Sequence, residues 1–174
     1  QADMMNGSEI DGVSVQDIAI FVGKNPIYFV NVFRQLFEKI RSMIFNWPAL
    51  IFSFFYFFYR KMYKAGVLVL LLNILVWLPS FLLVKAVLPQ AFPQAYSDPT
   101  IIYTFAYDFT GLERLAVLAQ TANYVKILIA LLCGMFANKI YMRHTISTVK
   151  KIRDARPDAS LEEYRYALAR TGRT

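Results

Sequence analysis

Residues 65–84 read AGVLVLLLNILVWLPSFLLV, twenty positions without a charge. At about 1.5 Å per helical residue they reach about 30 Å, the thickness of a bilayer's hydrocarbon core. The stretch predicts a transmembrane helix closed by Lys85. Pro79 is expected to bend it, and Asn73 requires a hydrogen-bond partner inside the bilayer.

Composition points the same way. Of 174 residues 57% are hydrophobic and 18% charged, with 15 Phe, 11 Tyr and 2 Trp. A soluble domain has roughly 45–50% apolar and about 25% charged residues. The bias excludes a disordered chain, a collagen and a coiled coil. One Cys excludes a disulfide scaffold, and one Cys with one His excludes a self-contained Cys/His zinc site. The fold class is all-α and membrane-embedded.

C-terminal to the span, residues 88–111 interleave Pro89, Pro93 and Pro99 with Tyr96, Tyr103 and Tyr107. They read as an external loop ordered against the membrane surface. A long helix can begin near Gly111, and Tyr124–Tyr141 is the second span, bracketed by tyrosines that suit the headgroup belt. Residues 65–143 thus form a two-span hairpin. Residues 144–174 are a basic tail in which Ser160-Leu-Glu-Glu163 is a capping box for a short last helix.

N-terminal to the span, Trp47–Tyr59 is thirteen uncharged, mostly aromatic residues after an Asn46 cap. At about 20 Å this helix is too short to cross and is expected to be re-entrant or interfacial. The basic turn Arg60-Lys-Met-Tyr-Lys64 completes segment 46–64. In segment 15–45, Ser14 caps a helix over Val15–Val22 stopped by Gly23, and Asn25-Pro26 starts an amphipathic helix to Phe45. There Phe29, Val32, Phe33, Leu36, Ile40, Met43 and Ile44 share one face. Arg34, Lys39 and Arg41 border it, as an in-plane membrane helix requires; the alternative is a helix packed on its own protein. Residues 1–14 read as a linker, preceded by a further segment.

The net charge is +7. Because the basic residues flank apolar runs, anionic lipid headgroups are the expected partner, and nucleic acid is not. The headgroup contacts are assigned to Arg34, Lys39, Arg41, Arg60, Lys61, Lys64, Lys139 and Arg143. Lys and Arg number four before Trp47, three in 60–64 and nine after Ala137, against two over 85–114. By the positive-inside rule both termini are cytoplasmic and the Pro/Tyr loop is external. Within the bilayer, Asn73, Asn123 and Lys126 are the polar contacts, and Ala130 with Gly134 offers a small-residue stripe for helix packing.

The sequence lacks a His-Glu-x-x-His zinc motif, a Gly-x-Ser-x-Gly elbow and a Walker loop. His144 stands without a placed Cys or carboxylate, and Cys133 falls mid-span. No enzyme activity and no cofactor are expected.

Three stretches together resemble a family of small bacterial membrane proteins known only as domain of unknown function 2628. They are Phe21-Val-Gly-Lys-Asn25 with Tyr28 and Phe33, Asn46-Trp47 leading to Tyr59-Arg-Lys-Met-Tyr63, and Gly134-Met-Phe-Ala-Asn138 with Tyr141 and His144. The likeness runs from about Ile10 to the C-terminus. Relatives often carry a zinc ribbon before this region, which implies an N-terminal extension and no metal site in these residues. The resemblance implies a multi-pass protein of the bacterial inner membrane and no known activity. The expected role is a non-enzymatic anchor, scaffold or interaction module, alone, as a homo-oligomer or in a larger membrane complex. The alternatives are a homo-oligomeric pore or transporter subunit, resting on Asn73, Asn123 and Lys126, and an intramembrane enzyme.

Overall fold

The computed structural model describes residues 9–97 and 113–172, with side chains for 9–86 and 113–172. It contains a two-stranded ribbon and seven helices among those residues. The chain divides into two units, one of residues 1–67 with 130–174 and one of residues 68–129.

The first unit starts at the ribbon. Strands β1 (Glu9–Ile10) and β2 (Val13–Ser14) pair antiparallel, Ile10 opposite Val13. Asp11 and Gly12 between them both have positive φ, 52° and 73°. This is the Asp-Gly turn whose twist matches a tight hairpin. Residues 9–14 are therefore not linker; the earlier part of the expected linker lies outside the described residues. Lys150 pairs with Asp11 at 3.3 Å and Arg153 Nη1 donates to the Gly12 carbonyl at 3.1 Å, fastening the turn.

Helix α1 (Val15–Val22) begins and ends as its sequence predicts. Ser14 Oγ accepts from the Asp17 N–H at 3.1 Å, and Gly23 terminates it at φ 70°. Its apolar face, Val15, Ile18, Phe21 and Val22, is buried. Helix α7 (Leu161–Gly172) packs on α1. Its capping box forms, with Ser160 and Glu163 each bonding the other's backbone N–H. Gly172 is buried so tightly against Phe21 that a β-carbon there would strike the Phe21 carbonyl.

Helix α2 (Pro26–Phe37) is shorter than its periodicity suggests. Asn25 contributes no side-chain cap and instead turns left-handed at φ 54°. The helix stops where Lys39 adopts φ 55°, and Ile40 and Met43, assigned to its apolar face, are exposed. The face holds only over its first turns, where Phe29, Val30, Val32 and Phe33 are buried. The helix yields because residues 44–46 are anchored to Asn138 and Gly134, through the Ile44 carbonyl and the Asn46 N–H.

The aromatic segment is likewise two helices rather than one, α3 (Trp47–Phe52) and α4 (Phe54–Tyr59), broken at Ser53 with φ 46°. Helix α4 ends in a Schellman motif: the Met62 N–H reaches the Phe57 carbonyl at 2.8 Å and that of Lys61 reaches Phe58 at 2.9 Å. Lys61 occupies the left-handed position at φ 57°, where glycine is usual. Its ammonium explains the choice, because Nζ donates at 3.2 Å to the carbonyls of both Arg170 and Thr171 at the end of α7. A cation there satisfies orphan carbonyls and complements the helix dipole.

Helices α5 (Tyr63–Ser97) and α6 (Glu113–Asp154) are both long and apolar enough to cross a membrane. Helix α5 does not stop at Lys85; it runs on through Pro89 and Pro93. Residues 88–97 are thus helical, and the rest of the expected external loop, 98–111, lies outside the described residues. Helix α6 likewise continues past Tyr141 into the basic tail. Within the first unit α6 presents Ala137, Tyr141, Thr145 and Val149 at helical spacing as a buried stripe. Tyr141 meets Phe29 and Phe33 edge-on, with ring centroids 5.2 and 5.6 Å apart.

In the second unit two side chains bond their own helices. Asn73 Nδ2 donates to the Val69 carbonyl of its own helix at 2.8 Å, and Thr121 Oγ1 to Val117 at 2.8 Å. The most apolar stretch of α5 has none of its residues buried. Leu68, Leu75 and Ile127 are 60%, 65% and 59% exposed.

Two outcomes follow for the first unit. Replacing Gly172 by Ala should destabilise it by about 1–3 kcal/mol, the usual cost of overpacking, measurable as a lowered unfolding midpoint in detergent. The Tyr164 hydroxyl donates to Asp17 Oδ2 at 3.1 Å. Burial, the Asp17 charge and that bond push the phenol up to about 12. The folded form holds its proton more tightly than the unfolded chain. This contribution is therefore complete below about pH 10 and is lost as pH rises toward 12. Melting curves of Tyr164→Phe should lack that alkaline decline relative to wild type.

Candidate functional site

The centre of the first unit is a buried amide. Asn46 Oδ1 accepts from the Ala49 N–H at 3.0 Å, capping α3. Its Nδ2 donates to the Tyr56 hydroxyl and to Asn138 Oδ1, both at 2.8 Å. Its backbone N–H donates to the Gly134 carbonyl at 2.8 Å, and Asn138 Nδ2 returns a bond to the Ile44 carbonyl at 3.0 Å. Asn46 and Asn138 are 6% and 1% exposed, so each unmade bond there would leave a polar group in a dry site. The pattern explains both departures from the sequence reading. The chain must leave the helical path after Phe37 to bring Ile44 and Asn46 to α6. It must break at Ser53 to return Tyr56 to Asn46.

Gly134 permits the contact. A β-carbon there would sit 2.9 Å from the Phe45 ring and 3.2 Å from Leu50 Cβ. The small residue is used, but against the 45–50 segment. Ala130, its companion in the stripe, is half-buried.

Beside this joint, Arg60 is held among rings. Its guanidinium carbon lies 4.5 Å from the Phe29 centroid, 5.0 Å from Tyr141 and 5.4 Å from Tyr59. Nη1 donates to the Tyr141 hydroxyl at 3.5 Å, while Nε is buried and makes no bond. Arg60 borders a cleft of about 640 Å³ whose walls include Tyr28, Phe29, Trp47, Phe52, Phe55 and Tyr59, with Asn46 and Tyr56 also lining it.

A second cavity of about 670 Å³ is basic. Lys61, Lys64, Arg143 and Lys151 line it with His144, Ser147, Thr148, Tyr63, Met62, Ala65 and Ile140, and among the described residues no carboxylate does. The surplus of positive charge suits an oxyanion. His144 packs against Phe21, ring centroids 6.3 Å apart.

The residues assigned to headgroup contact therefore separate. Lys61, Lys64 and Arg143 meet in the basic cavity. Arg60 sits in the aromatic cleft instead. Lys39 and Arg41 are exposed on the turn after α2, and Arg34 and Lys139 are half-buried. Asn123 is exposed and Lys126 half-buried on α6. Sequence reasoning missed Ser147, Thr148 and Lys151 in the cavity; their spacing from Arg143 and His144, about one and two helical turns, was the available signal. It also missed the Asn46–Asn138 pairing, for which no local pattern exists. Among the described residues no cluster of three His, Cys, Asp or Glu side chains could hold a metal.

Fold and site together define a mostly helical chain with two membrane-length apolar helices and a folded unit built on a buried amide joint. The chain belongs to the family described as protein of unknown function DUF2628, whose model matches residues 20–146. No curated protein and no solved structure matches it.

Tyr56→Phe should leave one Asn46 N–H without its acceptor at a cost of about 1–3 kcal/mol. The lowered unfolding midpoint should exceed that of Tyr59→Phe, whose ring is 48% exposed on the rim.

Proposed function

We propose that the chain is a non-enzymatic integral membrane module, an anchor or scaffold of the bacterial cytoplasmic membrane. Helices α5 and α6 supply two spans, the termini are cytoplasmic, and the aromatic segment rests at the interface. The observation that carries this reading is the bare surface of α5. Eleven large apolar side chains between Val67 and Val84 are at least 40% exposed. At roughly 1 kcal/mol for each half-exposed chain, leaving them in water would cost about as much as a domain's whole stability of about 5–15 kcal/mol. Lipid removes that cost.

The basic cavity supports the same placement. Lys61 and Lys64 stand at the start of α5, and Arg143 and Lys151 on the polar part of α6, where a lipid phosphate would complement them. Asn73 is satisfied by Val69 of its own helix, which takes one support from the pore alternative.

Cysteines placed at Ser42, Lys64 and Ser97 in a Cys133→Ser background test the topology. Labelling of the first two from the cytoplasm and of Ser97 from outside is expected. Opposite sides for Ser42 and Lys64 would make the aromatic segment a third span. Release of the protein from membranes by alkaline carbonate would overturn the reading entirely. For the scaffold role, mild detergent extracts should return the chain with a defined partner, and recovery of the chain alone contradicts it.

A further inference from the structure

The aromatic cleft, whose rim rests at the interface in the proposed placement, has a polar floor that anchoring leaves unused. We propose that it binds a single-chain amphiphile with one carboxylate, a long-chain fatty acid, whose head meets Arg60 and Tyr56 and whose chain lies along Trp47, Phe52 and Phe55.

Charge decides the head. Among the described residues lining the cleft Arg60 is the sole ionisable cation, and none is a carboxylate. The rings of Phe29 and Tyr141 hold the guanidinium by its faces, at 4.5 and 5.0 Å. Ring faces attract the cation but accept none of its in-plane N–H bonds. One of those N–H groups reaches Tyr141, and Nε has no partner. The Tyr56 hydroxyl accepts from Asn46, which leaves its own proton to donate. The cleft therefore offers the Arg60 guanidinium and the Tyr56 proton, around one positive charge with no carboxylate among its described lining residues. A planar carboxylate matches the guanidinium fork and supplies one negative charge.

Volume and exposure decide the tail. At roughly 30 Å³ per non-hydrogen atom, the share of a water molecule in the liquid, about 640 Å³ holds about twenty atoms. That is one acyl chain with its head; a diacyl phospholipid is about twice too large. Trp47, Phe55 and Phe52 are 66%, 64% and 58% exposed beside the polar floor. Apolar walls with a few convergent polar groups are the usual make-up of a small-molecule site.

The test uses the full chain in nanodiscs of zwitterionic lipid, with Trp77→Phe so that Trp47 alone fluoresces. The probe is dibromostearic acid, a bromine-quenching fatty acid, titrated at about pH 9 where the carboxyl is ionised. Saturable quenching is expected, weakened at least about tenfold by Arg60→Gln and less by Arg60→Lys. The dibrominated methyl ester, which lacks the charge, should give only weak, unsaturable quenching in the wild-type chain. That comparison does not depend on any variant folding. Equal quenching by acid and ester would overturn the proposal. So would saturation by dibrominated phosphatidylglycerol at the same concentration, which would assign the cleft to a lipid headgroup. The outcome is independent of topology: a failure here leaves the carbonate and labelling results standing.

Discussion

The Asn46 side chain is the joint on which the first unit turns. One residue caps α3, ties α3 to α4 through Tyr56 and ties both to α6 through Asn138 and Gly134. A buried amide is worth little net when satisfied and costs about 1–3 kcal/mol per group when it is not. That asymmetry makes it a device of specificity: alternative packings of the greasy 45–59 segment would bury the same rings but orphan the amide. Two of the positive-φ residues, Lys39 and Ser53, each costing of order 1 kcal/mol, are tolerated because the joint requires the chain to turn there.

Both cavities derive from this arrangement. Holding α4 against α6 places Arg60 among Phe29, Tyr59 and Tyr141. The Schellman end of α4 turns Lys61 toward the last carbonyls of α7 and starts α5 with Lys64 beside Arg143. Adjacent residues thus face different chemistry: Arg60 is dressed in aromatic rings, while Lys61 and Lys64 border a cavity with no carboxylate among its described lining residues. Planarity suits Arg60 to ring faces, and a flexible point charge suits lysine to carbonyls and phosphates.

Local rules made much of this legible in the sequence. Ser14, Gly23 and the Ser160–Glu163 box were readable because a cap is a contact over three or four residues. The two membrane-length helices were readable because twenty uncharged residues admit few other fates. The ribbon carried a plain Asp11-Gly12 signal that the linker reading passed over. What could not be read was set by distant partners. The periodicity through Ile44 described a good helix, but Asn138, 94 residues away, takes the Ile44 carbonyl. Glycine at position 134 suggested close helix contact within the hairpin or between subunits, whereas the residue it admits is Phe45. Arg60 looked like any interfacial cation until three aromatic positions, Phe29, Tyr59 and Tyr141, converged on it. Family resemblance had marked Asn46 and Asn138 as notable residues but assigned them no role.

If the amide joint governs the unit, Asn46 and Asn138 must be energetically coupled. A double-mutant cycle with Asn46→Ala, Asn138→Ala and the pair, followed by unfolding in detergent, measures that coupling directly. The interaction energy should be about 1 kcal/mol or more, because the second substitution removes a group the first has already orphaned. Losses that simply add would mean that the two amides act independently, and the joint described here would not exist.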